Sequence, residues 1–129
     1  MTRNYEDLDP NEHYVVQRYM HKPYLIDGFK FDLRIYVLLS GVNPLRIYVY
    51  KEGLARFATV PYESPTPQNL SNLFMHLTNY AINKDNENFV ANTNEHADDV
   101  GSKRSFTSVL KRIEQDFGPE KSEEVFKGI

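Results

Sequence analysis

Apolar and polar residues alternate over residues 29–40, with Leu38 as the exception. Phe31, Leu33, Ile35, Val37 and Leu39 fall on one face, and Lys30, Asp32, Arg34 and Tyr36 on the other, which predicts a strand. Gly41-Val42-Asn43-Pro44 reads as a turn. Residues 45–50 alternate again, with Arg46, Tyr48 and Tyr50 opposite Leu45, Ile47 and Val49. Glu52-Gly53 predicts a second turn and residues 55–60 a third strand, giving an antiparallel meander. Upstream, the β-branched and aromatic run 14–19 predicts another strand, and Lys22, Pro23, Asp27 and Gly28 punctuate a loop.

Downstream, residues 63–67 predict a loop and 68–75 a short helix or a partly helical connection. Residues 77–82 predict a short extended segment. The Asn- and Asp-rich stretch 84–102 predicts a long polar loop. Phe106, Val109, Leu110, Ile113 and Phe117 lie at helical spacing, Gly118-Pro119 stops that helix, and a last helix begins near Glu120. Residues 1–12 show no periodicity and read as a linker or ragged N-terminal edge, with 13–129 as the central part of a domain. The fold class implied is α+β, an antiparallel sheet with flanking helices.

Composition narrows the chemistry. The length of 129 residues suits one domain or part of a larger one, and an aromatic content of 13% argues for a packed core. With no cysteine, a disulfide framework, a thiol nucleophile and a Cys-based zinc site are excluded. No apolar run approaches the roughly 20 residues of a membrane helix. The net charge of −3 is unevenly spread. Residues 13–60 hold seven Lys/Arg against three Asp/Glu, and the remainder eight against fifteen. A basic middle in an acidic chain points to local anion binding, not to a nucleic-acid surface or a membrane.

Lys30, Asp32 and Arg34 form a polar ladder, with Arg46 and Arg56 on the neighbouring strands. Such a row is either an ion-pair ladder on a solvated sheet or a set of fixed cations for phosphates and carboxylates. Gln17-Arg18-Tyr19-Met20 is either an edge strand or a segment able to take an adenine. Thr78-Asn79 either turns the backbone or contacts phosphate and ribose oxygens. Gly101-Ser102-Lys103-Arg104 precedes a helix, with Ser102 or Ser105 as its N-cap, and is either a solvated basic patch or an anion clamp. His13, His21, His76 and His96 show no ligand spacing and read as structural or surface residues. No GxSxG, HExxH, Walker A or GxGxxG motif is present.

Taken in order, these segments resemble the tubulin-tyrosine-ligase-like family. The carrying stretches are Gln17-Arg18-Tyr19-Met20, Gly28-Phe29-Lys30-Phe31-Asp32-Leu33-Arg34-Ile35-Tyr36-Val37, Pro44-Leu45-Arg46, and Glu52-Gly53-Leu54-Ala55-Arg56-Phe57-Ala58-Thr59. His76-Leu77-Thr78-Asn79-Tyr80 with Asn83-Lys84, and Gly101-Ser102-Lys103-Arg104, complete the set. The version here is most similar to the polyglutamylase branch.

That resemblance implies the central part of an ATP-grasp domain. It implies a ligase that activates a carboxylate with ATP and magnesium, through an acyl phosphate, and joins it to the amine of free L-glutamate. The acceptor is a glutamate side chain, or a growing glutamate chain, on a tubulin tail. Position by position, Gln17, Arg18, Tyr19 and Met20 would receive the adenine. Lys30 would sit near the phosphates and the acceptor carboxylate, and Asp32, Thr78 and Asn79 would contact ATP. Arg56 would hold free glutamate, helped by Tyr80 and Lys103. Lys30 and Arg56 are therefore the catalytic candidates. Ala81 stands where the family commonly has Ser, which weakens one glutamate contact. Arg34 and Arg46 either bind substrate or support the sheet.

The family's glycine-rich phosphate loop and its magnesium-bearing segment have no counterpart in this chain. No metal ligand is expected here, and the chain alone is expected to be inactive. Glycine- or tyrosine-adding relatives, and a non-catalytic tubulin- or nucleotide-binding module, are the competing readings. The resemblance implies a cytoplasmic, microtubule-associated place, with the cilium or basal body as a further one.

Overall fold

Asp27 and Gly28 carry φ angles of 54° and 80°, the left-handed pair that a two-residue type I′ turn needs. Ile26 and Phe29 close the turn, with Phe29 N donating to Ile26 O at 2.9 Å and Ile26 N to Phe29 O at 3.2 Å. The chain leaves this turn directly into the sheet. The computed structural model describes residues 2, 4–92 and 99–129.

Strand β1 (Phe31–Val42) turns at Asn43-Pro44, whose peptide bond is cis, and returns as β2 (Leu45–Phe57). A short β3 (Lys103–Ser105) pairs with the end of β2, so the antiparallel sheet has the order β1-β2-β3. Two one-turn helices, α1 (Leu73–His76) and α2 (Tyr80–Asn83), lie between β2 and β3. Helices α3 (Phe106–Phe117) and α4 (Pro119–Lys127) close the chain. The α+β arrangement, the first strand, the hairpin turn and the two final helices agree with the sequence pattern.

Four expectations need correction. No turn forms at Glu52-Gly53, because β2 runs through it as one strand of 13 residues. Gly53 instead serves a close approach: a Cβ there would meet Arg34 O at 2.5 Å, beside the register shift between Ile35 and Val37. The third strand is therefore β3, distant in sequence, and not 55–60. Residues 14–19 are not a strand; they run without sheet pairing and are exposed apart from Tyr19. Val15 is 87% exposed, so its β-branched neighbours found no sheet face to cover. Residues 77–82 split into an extended piece and the helical turn α2. Part of the predicted loop 84–102, including His96, lies outside the described residues.

The core sits between one sheet face and α3. Ile26, Ala55, Phe57, Val109 and Ile113 are buried together, with Phe29, Phe31, Leu33 and Val125 packed against them. Val109 and Ile113 are four apart, one helical turn, so both meet the sheet. Ser105 caps α3 by accepting from Ser108 N at 3.1 Å, which also ends β3. Gly118, with φ of 90°, ends α3 and leads into Pro119 at the first turn of α4. Beyond Tyr36 the hairpin projects away from this core, and both of its faces are exposed; Val37 and Leu38 are 61% and 62% exposed.

Candidate functional site

The sheet face turned away from α3 carries the charge. Antiparallel register sets Asp32 opposite Arg56, and Arg56 opposite Lys103. Directly opposed residues share a face, so the three form a row across β1, β2 and β3. Arg56 Nε donates to Asp32 Oδ1 at 3.0 Å, and Nη2 donates to Asp32 Oδ2. This side-on fork raises the Arg56 pKa, with the Asp32 hydrogen bond as the main cause. It leaves the outer edge of the guanidinium, with further N–H groups, turned to other partners.

At the other end of the row, Lys103 Nζ stands 4.0 Å from the Tyr80 ring centroid. Arg56, Thr78, Tyr80 and Lys103 line one crevice with Asn83 and Ser102. Its volume is only about 10 Å³, far below that of a pocket able to enclose an amino acid. A ligand therefore meets these groups on the exposed side of the row, where Tyr80 and Lys103 lie open.

Lys30 precedes β1 on the same face as Asp32. Its Nζ donates to His76 O at 2.8 Å and to the Tyr19 hydroxyl at 3.3 Å. Burial lowers the Lys30 pKa, partly offset by Asp32. Lys30 also lines a cleft of about 1080 Å³ with Val15, Gln17, Arg18, Tyr19, Met20 and Leu77, among others. The volume and the mixed apolar and cationic lining suit a nucleotide. The predicted adenine segment, Gln17 to Met20, and the ladder lysine thus meet in one cavity, although the segment is irregular chain and not an edge strand.

Thr78 and Asn79 sit where the backbone turns into α2. Asn79 occupies the N-cap position without a side-chain cap bond, and its side chain is exposed. Its carbonyl accepts from Asn83 N at 3.0 Å and from Asn83 Nδ2 at 3.1 Å. Ala81, one residue past Tyr80, is exposed on α2. Arg34 is exposed one step along the ladder from Asp32. Arg46 is exposed near the hairpin tip, opposite Gly41, and is not brought to the row. Ser102 and Arg104 leave the predicted basic clamp for structural work. Ser102 Oγ accepts from Val90 N at 3.1 Å, and Arg104 Nη1 donates to Asp27 Oδ2 at 2.9 Å.

The family pattern described as Tubulin-tyrosine ligase family matches residues 1–129. The chain belongs to the tubulin-tyrosine ligase family. It is 60% identical over 114 residues to a probable beta-tubulin polyglutamylase of Tetrahymena thermophila, covering 88% of this chain and 10% of that protein. It is 56% identical over 109 residues to tubulin polyglutamylase TTLL13 of Mus musculus, covering 84% of this chain and 13% of the relative. With tubulin polyglutamylase ttll6 of Danio rerio the identity is 52% over 114 residues, covering 88% and 14%. The chain thus spans about a tenth to a seventh of the length of these relatives.

Two residues that carry the site's architecture, His76 and Asn83, were named in the sequence motifs without a role at the site. His76 is fully buried, with the Tyr19 hydroxyl 2.8 Å from Nδ1 and Asn69 O 3.0 Å from Nε2. Asn83, 1% exposed, ties Thr59 to Leu77 and Asn79. The available signal was that both lie within or beside the polar run that holds Thr78-Asn79. His13 and His21 are exposed, as a surface role requires.

Proposed function

We propose that this chain is the centre of the active site of an ATP-dependent tubulin polyglutamylase. The whole enzyme joins free L-glutamate to glutamate side chains, or to glutamate chains, on tubulin C-terminal tails, within an ATP-grasp domain at the microtubule cytoskeleton. The observation that carries the reading is the Asp32–Arg56–Lys103 row, set beside Tyr80 and one step from Lys30 at the mouth of a nucleotide-sized cleft. The polyglutamylase names of the matched relatives support it.

Bound ATP would supply the phosphoryl group that turns an acceptor carboxylate into an acyl phosphate. The chain's own residues bind and orient. Residues Gln17 to Met20 and Leu77 wall the cleft around the base. Lys30 spends two of its three N–H groups on His76 and Tyr19, and turns the third toward an anion. Arg56, anchored by Asp32, presents its outer edge to a carboxylate of glutamate, and Lys103 offers a second cation. Charge held in place before the reaction stabilises the developing anion without reorganisation. Among the described residues no group of three or more His, Asp or Glu comes together to hold a metal ion, so no magnesium position is derived from this chain.

Two cations on the substrate side favour an amino acid with a side-chain carboxylate over glycine or tyrosine. The test is Arg56→Ala in the full-length polypeptide, with glutamate incorporation into tubulin and nucleotide binding measured separately. Transfer should fall about a hundredfold, as when one preorganised donor is removed, while nucleotide binding persists. Undiminished transfer would overturn the assignment. Binding of nucleotide with no transfer in the unmutated polypeptide would favour a non-catalytic module.

A further inference from the structure

The ammonium of Lys30 is held by a hydrogen-bond chain that runs through the buried His76 ring to the Asn69 carbonyl. Lys30 Nζ donates to the Tyr19 hydroxyl at 3.3 Å and lies 4.4 Å from the Tyr19 ring centroid. The Tyr19 oxygen is 2.8 Å from His76 Nδ1, and His76 Nε2 is 3.0 Å from Asn69 O. A carbonyl oxygen only accepts, so Nε2 carries the hydrogen. In the neutral ring Nδ1 is then bare and accepts. The Tyr19 hydroxyl must donate to Nδ1, and its oxygen lone pairs are left to receive Lys30. Burial raises the Tyr19 pKa, reinforced by Tyr62, so the hydroxyl keeps the proton that it donates. Each ring nitrogen is used once, the hydroxyl both donates and accepts, and the direction of each bond is fixed by the Asn69 carbonyl at the far end.

We propose that His76 is a positioning residue for Lys30, acting through the Tyr19 hydroxyl. His76 is 0% exposed and its ring does not reach the cleft surface. Its main-chain oxygen and its imidazole both hold the same ammonium, one directly at 2.8 Å and one through Tyr19. Together they aim the remaining N–H of Lys30 into the cleft. This rests on the reading of Lys30 as the group that meets the phosphates.

The test uses the full-length polypeptide and reads kcat/KM for ATP in glutamate transfer. Asparagine and glutamine separate the two ring nitrogens. The Oδ1 of His76→Asn replaces Nδ1 and keeps the acceptor for Tyr19. The Nε2 of His76→Gln replaces the ring Nε2 and keeps only the tie to Asn69 O. Tyr19→Phe should lower kcat/KM about tenfold to a hundredfold, the worth of one hydrogen bond to a charged group. His76→Gln should match it, His76→Asn should stay near the unmutated value, and the Tyr19→Phe/His76→Gln double variant should be no worse than either single one. The opposite order, with Gln active and Asn impaired, would show His76 to be a purely structural tie and overturn the proposal. Where a buried His76 variant fails to fold, Tyr19→Phe decides: unmutated activity overturns the proposal. Lys30→Ala separates the two layers. Activity retained in Lys30→Ala removes the Lys30 reading and this inference with it. Activity lost there but kept in Tyr19→Phe removes this inference alone.

Discussion

Asp32 and Arg56 stand opposite each other on β1 and β2, and the carboxylate grips the side edge of the guanidinium at two points. Both side chains are partly shielded, at 35% and 24% exposure. The pair therefore works less as a stability element than as a clamp on orientation, since half-exposed ion pairs contribute little on their own. A guanidinium fixed along one edge presents the other edge in one direction.

Residues that act as one unit are not additive. Asp32→Ala and Arg56→Ala should each lower kcat/KM for glutamate, and the double variant should fall no further than Arg56→Ala. The expected coupling is about 1–3 kcal/mol. A double-mutant cycle on the full-length polypeptide measures it directly. Full additivity would mean that Asp32 serves a different partner.

Lys103 and Tyr80 form the second half of the glutamate reading. The ammonium lies over the ring face, 4.0 Å from its centroid, so the ring and not the hydroxyl places it. Tyr80→Phe should leave KM for glutamate nearly unchanged. Tyr80→Ala should raise it about twofold to fivefold, in line with roughly 0.5–1 kcal/mol for an exposed cation–π contact. Lys103→Ala should raise it further, with KM for ATP unmoved. Steady-state kinetics with each substrate varied in turn distinguishes these outcomes.

The hairpin, the core helix and the charged ladder were legible because each follows a local period. The alternation over 31–37 and the 3.6-residue spacing of Val109, Ile113 and Phe117 need no tertiary information. Gly53 misled because glycine marks both turns and close backbone approaches, and only the position of Arg34 O decides between them. Residues 14–19 misled because strand propensity counts only where the segment pairs with a sheet, and these residues pair with none of its strands. Of the candidate site, the charged members could be read from the sequence, but their partners could not. Nothing in spacing tells that Asp32 meets Arg56, or that buried His76 meets Tyr19, since those meetings come from register and from a 57-residue separation.

Asp27 gives a pH prediction. Its carboxylate accepts from Arg104 and Arg112, each at 2.9 Å, which locks the type I′ turn to β3 and α3. The Arg104 hydrogen bond is the main cause of a pKa lowered from 3.8, with burial opposing it. The folded state thus binds the proton less readily than the unfolded chain. The stabilisation is complete above the unfolded value and is lost as the pH falls through the folded one. Asp27→Asn keeps a residue that tolerates the positive φ and removes the charge. At neutral pH it should cost about 0.5–1 kcal/mol, given that the site is partly exposed. The gap should close as the pH falls from about 5 toward 3. Urea unfolding across that range checks it, and a gap that stays constant would exclude the ionised carboxylate as its source.

Asn83 should prove the most sensitive side chain near the site. Its Oδ1 accepts from Thr59 N at 3.1 Å and from Thr59 Oγ1 at 2.8 Å. Its Nδ2 donates to Leu77 O at 2.8 Å and to Asn79 O at 3.1 Å. The amide thus joins the end of the sheet to the turn that presents Thr78 and Asn79. Asn83→Ala leaves two donors and two acceptors without this partner at a site 1% exposed, which should cost roughly 2–4 kcal/mol. Asn83→Asp is the sharper test, because it has nearly the same shape. The carboxylate can still accept from Thr59, but it faces two carbonyl oxygens with nothing to donate. It should therefore destabilise at least as much as Asn83→Ala at neutral pH, and regain stability as acid protonates it and supplies one donor. Thermal unfolding of both variants at neutral and mildly acidic pH reads this out. If Asn83→Asp were as stable as the unmutated chain at neutral pH, shape alone would suffice and the donor side of the amide would hold nothing.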